Sequence, residues 1–182
     1  LVENSNNKNF KKKIEAKFKN VTCFLSGSNI GYGSAINLAL KKTNSKYYLI
    51  LNPDCIVSEK TILELYSNLE NENEIDVVAP LIIDKKNRVY ARYGYFLSSK
   101  IKKKFIENKK FKQVDFVIGC IFLIKSKIFN KIGFFDENFF MNYEEIDFFK
   151  RLRNSNYNIF INKKNKAKHL EGMSSFSQKN KS

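Results

Sequence analysis

Two acidic segments carry the chemistry this sequence can be read for. Asn52-Pro53-Asp54 directly follows the apolar run Tyr47 to Leu51. In open α/β sheets ligands gather at the carboxyl ends of strands, so an Asp at that place reaches one. Its carboxylate can hold a divalent cation that bridges diphosphate oxygens and neutralises a leaving group. The same three residues also make an Asx or proline turn that merely ends a strand. The second segment is Tyr143-Glu144-Glu145-Ile146-Asp147, at the start of an expected helix. Crowded carboxylates raise one another's pKa, and one of them can be poised as a general base. The bland reading is that acids at a helix start complement the helix dipole, with Asp147 pairing to Lys150 or Arg151 one turn on. Helical spacing puts Glu144 and Asp147 on one face and Glu145 on another.

Two weaker signals accompany them. His169 is the sole histidine, a structural residue or a ligand for metal or phosphate. Asn29-Ile30-Gly31-Tyr32-Gly33 is a glycine-containing turn ahead of a helix, able to present backbone N–H groups to a phosphate. It is neither a Walker nor a Rossmann fingerprint.

The elements that must position these residues alternate between strand and helix, which predicts an α/β fold with a mostly parallel sheet flanked by helices. Strands are expected over 21–25, 47–51, 77–83 and 116–124, the last interrupted by Gly119. A short final strand is expected over 158–161. Residues 89–95 read as an antiparallel return from the turn at 84–87. Helices are expected over 34–42, over 58–71 with Ser58 as N-cap, and over 144–154. The Lys-rich stretch 97–113 lacks periodicity and reads as a loop.

With 182 residues and 43% hydrophobic residues, the chain is long enough for one domain with a sizeable core. Cys23, Cys55 and Cys120 form no CxxC pair, so zinc and disulfide frameworks are unsupported and the thiols read as buried small hydrophobes. That usage favours a reducing, cytoplasmic setting. No apolar run approaches the roughly 20 residues of a membrane span. The formal net charge is +15. Nucleic acid, an anionic membrane surface and phosphate-bearing substrates are the partners such a charge selects. Lys102-Lys103-Lys104 is its densest cluster in the basic loop, suited to acceptor phosphate or membrane. No stacking motif, helix-turn-helix or zinc module supports a nucleic-acid-binding domain, which stands as an alternative on charge alone.

Taken in order, several segments resemble the family 2 glycosyltransferases, in particular a rhamnosyltransferase-like branch. They are Val2-Glu3-Asn4-Ser5, Asn29 to Gly33 with Asn37, Leu51 to Asp54, Gly119-Cys120, Gly133-Phe134-Phe135-Asp136-Glu137, Tyr143 to Asp147, and His169 with Ser174. The resemblance implies a GT-A catalytic domain over residues 1–175 with a polar tail at 176–182. The expected reaction is inverting transfer, assisted by Mg²⁺ or Mn²⁺, from a UDP- or dTDP-sugar to a polysaccharide or lipid-linked glycan acceptor, with no nucleic acid. It implies Glu145 as the base, Asp54 and His169 at the metal, and Glu3, Asn29, Gly31, Asn52 and Asp54 along the nucleotide sugar. Asp136, Glu144 and Asp147 fall on the acceptor side. The family's first strand has no counterpart ahead of Leu1, so a truncated domain is expected, active with that strand restored or inactive without it. The cysteine usage and the basic loop together set the expected location as cytoplasmic, with peripheral contact at the inner face of a membrane open to it.

Overall fold

The computed structural model describes residues 1–90, 92–96 and 106–170. The chain opens with β1 (Val2–Glu3) and α1 (Lys8–Lys17), then β2 (Phe24–Leu25), α2 (Tyr32–Lys42), β3 (Tyr47–Leu51), β4 (Cys55–Val57) and α3 (Glu59–Asn71). It continues through β5 (Val77–Ile83), β6 (Val89–Tyr90), β7 (Tyr93–Gly94), β8 (Phe111–Val114), β9 (Phe116–Val117) and β10 (Ile121–Lys125). Two helices, α4 (Lys127–Ile132) and α5 (Glu144–Asn154), precede the last strand, β11 (Ile159–His169).

The α/β architecture is as expected, but the sheet is mixed rather than mostly parallel. Its path runs β3-β10-β5-β11-β4, with β6 beside β5 and β8 beside β11. Within it only β5 and β11 run parallel, while β10 is antiparallel to both β3 and β5. β3 and β5 do point the same way, as expected for successive strands joined by a helix, but β10 lies between them. β1 and β2 form a separate parallel pair, and β7 and β9 a separate antiparallel pair.

Strand alternation sorts the core into two faces. Phe122 and Ile124 of β10, Val77 and Ala79 of β5, and Ile159 and Ile161 of β11 face one cluster with Phe148, Phe149 and Leu152 of α5. Phe148 is its hub, stacked on Phe135 with ring centroids 4.4 Å apart and edge-on to Phe149. Leu123, Val78 and Phe160 point the other way, onto Leu65 and Leu69 of α3. Ser58 caps α3 as anticipated, accepting from the Thr61 amide at 3.1 Å.

Several expected elements change length or character. The expected strand over 21–25 shrinks to Phe24–Leu25, and the one over 116–124 splits into β9 and β10. Residues 89–95 divide likewise: β6 pairs with β5, and β7 with β9. The end of the expected loop is strand β8, because Phe111, Gln113 and Val114 are buried against β11. Residues 97–105, Lys102 to Lys104 among them, and the tail at 176–182 lie outside the described residues. β11 runs on to His169 by changing partners along one edge, from β8 at 159–162 to β4 at 167–169, across a register shift against β5. Asn162 and Asn165 enter the interior because Asn68 and Glu64 of α3 accept from their amides, each at 2.7 Å. Helix α1 was not anticipated. It buries none of its residues, and Asn7 caps it by accepting from the Phe10 amide at 2.9 Å.

Candidate active site

The turn after β3 brings Asp54 inward. The Asn52 amide donates to the Cys120 carbonyl at 2.9 Å, and the Cys55 amide closes back on the Asn52 carbonyl at 3.1 Å. Asp54 is left 5% exposed between them. On the neighbouring strand His169 sits opposite Cys55 in register, and its Nε2 lies 3.3 Å from Asp54 Oδ1 without hydrogen-bond alignment. The Leu170 amide donates to the Asp54 carbonyl at 2.9 Å, which fixes the end of β11 to this turn.

The acidic start of α5 is the opposite wall. Glu144 is buried, and burial, reinforced by Glu145, pushes its carboxyl above the ordinary value. Gly33 makes room for it: a Cβ there would lie 3.5 Å from the Glu144 Cβ and 3.1 Å from that of Phe135. Glu145 turns toward Gly119, whose added Cβ would lie 3.7 Å from the Glu145 Cβ. Asp147 is engaged elsewhere, accepting from Arg151 Nε at 2.8 Å while that guanidinium also binds the Ile132 and Phe134 carbonyls. Of the two cations considered for it, Arg151 is thus the partner.

Tyr32 joins the two walls. Its hydroxyl donates to the Gly119 carbonyl. Burial pushes the phenol well above its ordinary value, and Cys120, Glu145, Glu144 and Asp54 push the same way. It therefore stays a neutral donor amid three carboxylates. In the sequence it is a tyrosine between two glycines at a helix start, where only the glycines point to a ligand.

Buried polar atoms without partners concentrate here. Asn52 Oδ1, Asp54 Oδ1, Glu144 Oε2, Glu145 Oε2 and His169 Nδ1 are all buried and make no hydrogen bond. Such groups are rare in folded proteins, and a cluster of them marks a place built for a ligand. Among the described residues no three His, Cys, Asp or Glu side chains enclose a metal ion. Asp54 and His169 form a pair, one oxygen and one nitrogen donor that could hold a divalent cation.

The remaining singled-out residues are tied into local networks. Glu3 accepts from the Ser5 hydroxyl at 2.7 Å and from the Asn7 amide at 3.1 Å. Asn29 Oδ1 accepts from Asn4 at 3.0 Å and from the Gly31 amide at 3.1 Å. Gly31, at φ 86°, lets the Phe140 carbonyl approach and accept from the Tyr32 amide at 3.1 Å. Asp136 holds a turn through Asn138 at 2.9 Å. Asn37 binds the Phe135 backbone through both amide atoms, at 2.8 and 3.1 Å.

A mixed sheet with helices on both faces matches the fold of a GT-A glycosyltransferase. The crystal structure of GalNAc-T7 with UDP, GalNAc and Mn²⁺ superimposes with a TM-score of 0.73 at 17% identity, over 94% of this chain and 38% of that one. Residues 1–133 match the profile of Glycosyl transferase family 2, and the chain belongs to that family. It is 31% identical over 144 residues to the low-salt glycan biosynthesis hexosyltransferase Agl10 of Haloferax volcanii, covering 74% of this chain and 47% of the relative. An uncharacterized glycosyltransferase of Methanocaldococcus jannaschii is 26% identical over 166 residues, covering 88% and 55%. The chain thus spans about half the length of these curated relatives. Among the described residues no helix is long and apolar enough to cross a membrane.

Proposed function

We propose that this chain supplies the donor and acceptor site of an inverting glycosyltransferase that moves a hexose from a UDP- or dTDP-sugar to a glycan or lipid-linked acceptor. The observation that carries this reading is the set of unpartnered buried oxygens on Asp54, Glu144 and Glu145 around Tyr32. Agl10 is described as a hexosyltransferase, and GalNAc-T7 was crystallised with UDP, GalNAc and Mn²⁺, which supports the same reaction class. The ordered motifs favour the rhamnosyltransferase-like branch and a domain spanning 1–175.

Asp54 Oδ1 and His169 would hold Mg²⁺ or Mn²⁺, which neutralises the departing nucleoside diphosphate. Asn52, with Glu3, Asn29 and Gly31, lies along the nucleotide sugar. Glu145 Oε2 takes the proton of the acceptor hydroxyl as it attacks the anomeric carbon from the face opposite the diphosphate. Tyr32, fixed on the Gly119 carbonyl, holds the wall against which Glu145 rests. Glu144, with its raised pKa, retains a proton more readily and donates to the acceptor; Asp136 and Asp147 shape the acceptor side through the turn at Asn138 and the Arg151 pair. We assign the reaction to the cytoplasmic face of a membrane, where the excess of cations meets anionic lipid.

A thermal-shift series with UDP and dTDP, with and without Mn²⁺, tests the assignment. Ligand at 100 times its Kd adds about 2.7 kcal/mol, or about 5–11 °C for a domain of this size. Asp54→Asn should keep its melting temperature and lose the Mn²⁺-dependent rise. An equal rise in both proteins removes Asp54 from the site.

A further inference from the structure

Cys55 and Cys120 lie in one small buried cluster with Ile82, Ile121 and Ala167, and both are free thiols. Cys120 is 1% exposed and Cys55 8%. The two side chains interact directly, and that contact, with burial, pushes the Cys55 thiol well above its ordinary value. Their backbones are coupled through Asn52, whose amide binds the Cys120 carbonyl and whose carbonyl binds the Cys55 amide. Each thiol also adjoins the candidate site. Cys55 follows Asp54 and lies opposite His169, and Cys120 follows Gly119, the acceptor for Tyr32. Cys23 is outside this cluster.

We propose that Cys55 and Cys120 are a redox-modification site, closing to a disulfide that displaces Asp54 and turns down metal-dependent donor binding. The displacement rests on the function proposed above; the bond does not. A peroxide is the oxidant. Cys120 Sγ, whose thiol the Cys55 contact and Arg92 hold below its ordinary value, attacks one oxygen of hydrogen peroxide, the O–O bond breaks, and a sulfenic acid and one water result. Cys55 Sγ then attacks Cys120 Sγ, expelling hydroxide, which leaves as a second water with the Cys55 thiol proton. Two thiols and one peroxide thus yield one disulfide and two waters, the sulfurs supplying both electrons.

The geometric consequence is sizeable on the scale of coordination chemistry. Bonding draws two sulfurs from van der Waals contact, about 3.5–4 Å, to about 2.05 Å. A movement of roughly 1.5–2 Å must be shared by the start of β4 at Cys55 and the Gly119-Cys120 turn, whereas metal–ligand distances tolerate about 0.2 Å. Gly119-Cys120 is a turn and can yield, whereas Cys55 opens β4 opposite His169, so its movement is carried to both Asp54 and His169.

The test uses the whole chain, reduced and then treated with hydrogen peroxide at stoichiometric concentration, unfolded in iodoacetamide and mapped by mass spectrometry. Peptides containing Cys55 and Cys120 should appear joined, two hydrogens lighter than their sum, with Cys23 alkylated. Both cysteines recovered as separate alkylated peptides, or oxidised without joining, would overturn the site. In parallel, the Mn²⁺-dependent affinity for UDP or dTDP should fall at least tenfold on oxidation and return with reductant, while Cys120→Ser keeps its affinity in peroxide. An unchanged affinity in the disulfide form overturns the regulatory role and leaves the bond. If reduced protein binds neither nucleotide with Mn²⁺, the proposed donor site fails, and the regulatory role with it, while the joined peptides still establish the modification.

Discussion

Replacing Gly31 by Ala tests how the acidic helix is held against the rest of the site. Gly31 sits at φ 86° and ψ 173° ahead of α2, a region essentially reserved for glycine that costs other residues about 1–3 kcal/mol. Its added Cβ would also overlap the Phe140 carbonyl oxygen, which accepts from the Tyr32 amide at 3.1 Å. Losing that bond adds about 1 kcal/mol, for a total of roughly 3 kcal/mol. Gly27 provides the control, since it has φ +88° and nothing within 4 Å of an added Cβ. Gly27→Ala therefore meets only the backbone term, about 1–2 kcal/mol. At about 2–4 °C per kcal/mol for a domain of this size, Gly31→Ala should melt about 6–12 °C below the unmodified chain, and Gly27→Ala about 2–8 °C below. Calorimetry of both variants, with amide exchange at Tyr32, decides the matter. Gly31→Ala should exchange Tyr32 faster, and Gly27→Ala should leave it unchanged. Equal melting temperatures and an unaltered Tyr32 amide in Gly31→Ala would refute the close approach of Phe140.

In an active preparation, Glu145→Gln should cut turnover at least about a hundredfold, the usual scale for a general base, with donor affinity nearly unchanged in a kcat and binding comparison. Asp147→Asn should act through stability instead, because it releases Arg151 from the Ile132 and Phe134 carbonyls; a stable but inactive Asp147→Asn would move the base to Asp147. Glu144 has its pKa raised in the fold, so the folded state binds its proton more tightly than the unfolded chain. That stabilising contribution is complete below the ordinary glutamate pKa and is lost as pH rises through the folded value. Chemical denaturation across pH 4–8 should accordingly show a smaller loss with rising pH for Glu144→Gln. Arg153→Met should be severe: Arg153 Nε lies 2.7 Å from Asp115 Oδ1, with Asp115 buried and Arg153 largely so, so about 3–5 kcal/mol should be lost in urea titration.

Much of the scaffold was legible because it obeys simple periods. The Leu65 and Leu69 stripe with its Ser58 cap, the continuous apolar runs of β3 and β5, and the Phe148-Phe149-Leu152 face of α5 each announce themselves locally. Strand direction was not, since a strand buried on both faces reads alike whether its neighbours run parallel or antiparallel. Nothing in Ile121 to Lys125 says that it inserts between β3 and β5. The end of β11 looked too polar for a strand because Asn162 and Asn165 are drawn inside by amide hydrogen bonds to Asn68 and Glu64 of α3, a partnership invisible without coordinates. Helix α1 gave no apolar signal because it buries nothing, although its Asn7 cap stood in the sequence. In the candidate site, Asp54, the acidic helix start and His169 stand out in the sequence as polar types at element ends, and the structure gathers their unpartnered atoms. Tyr32 and the Cys55–Cys120 contact were not, because each depends on which chain segments meet in space.

The late position of β11 has a consequence for biosynthesis. Asp54 meets His169 only after 115 further residues have been made, roughly 6–23 s at ordinary elongation rates of about 5–20 residues per second. From the completion of β5 until β11 is made, the β11-facing edge of β5 is uncovered, and Val78 lacks Phe160 above α3. A nascent chain stalled before Ile159 therefore displays an apolar strand edge, a template for pairing with another chain. Such intermediates are the natural clients of ribosome-associated chaperones, and their burden should lift abruptly as the last strand emerges.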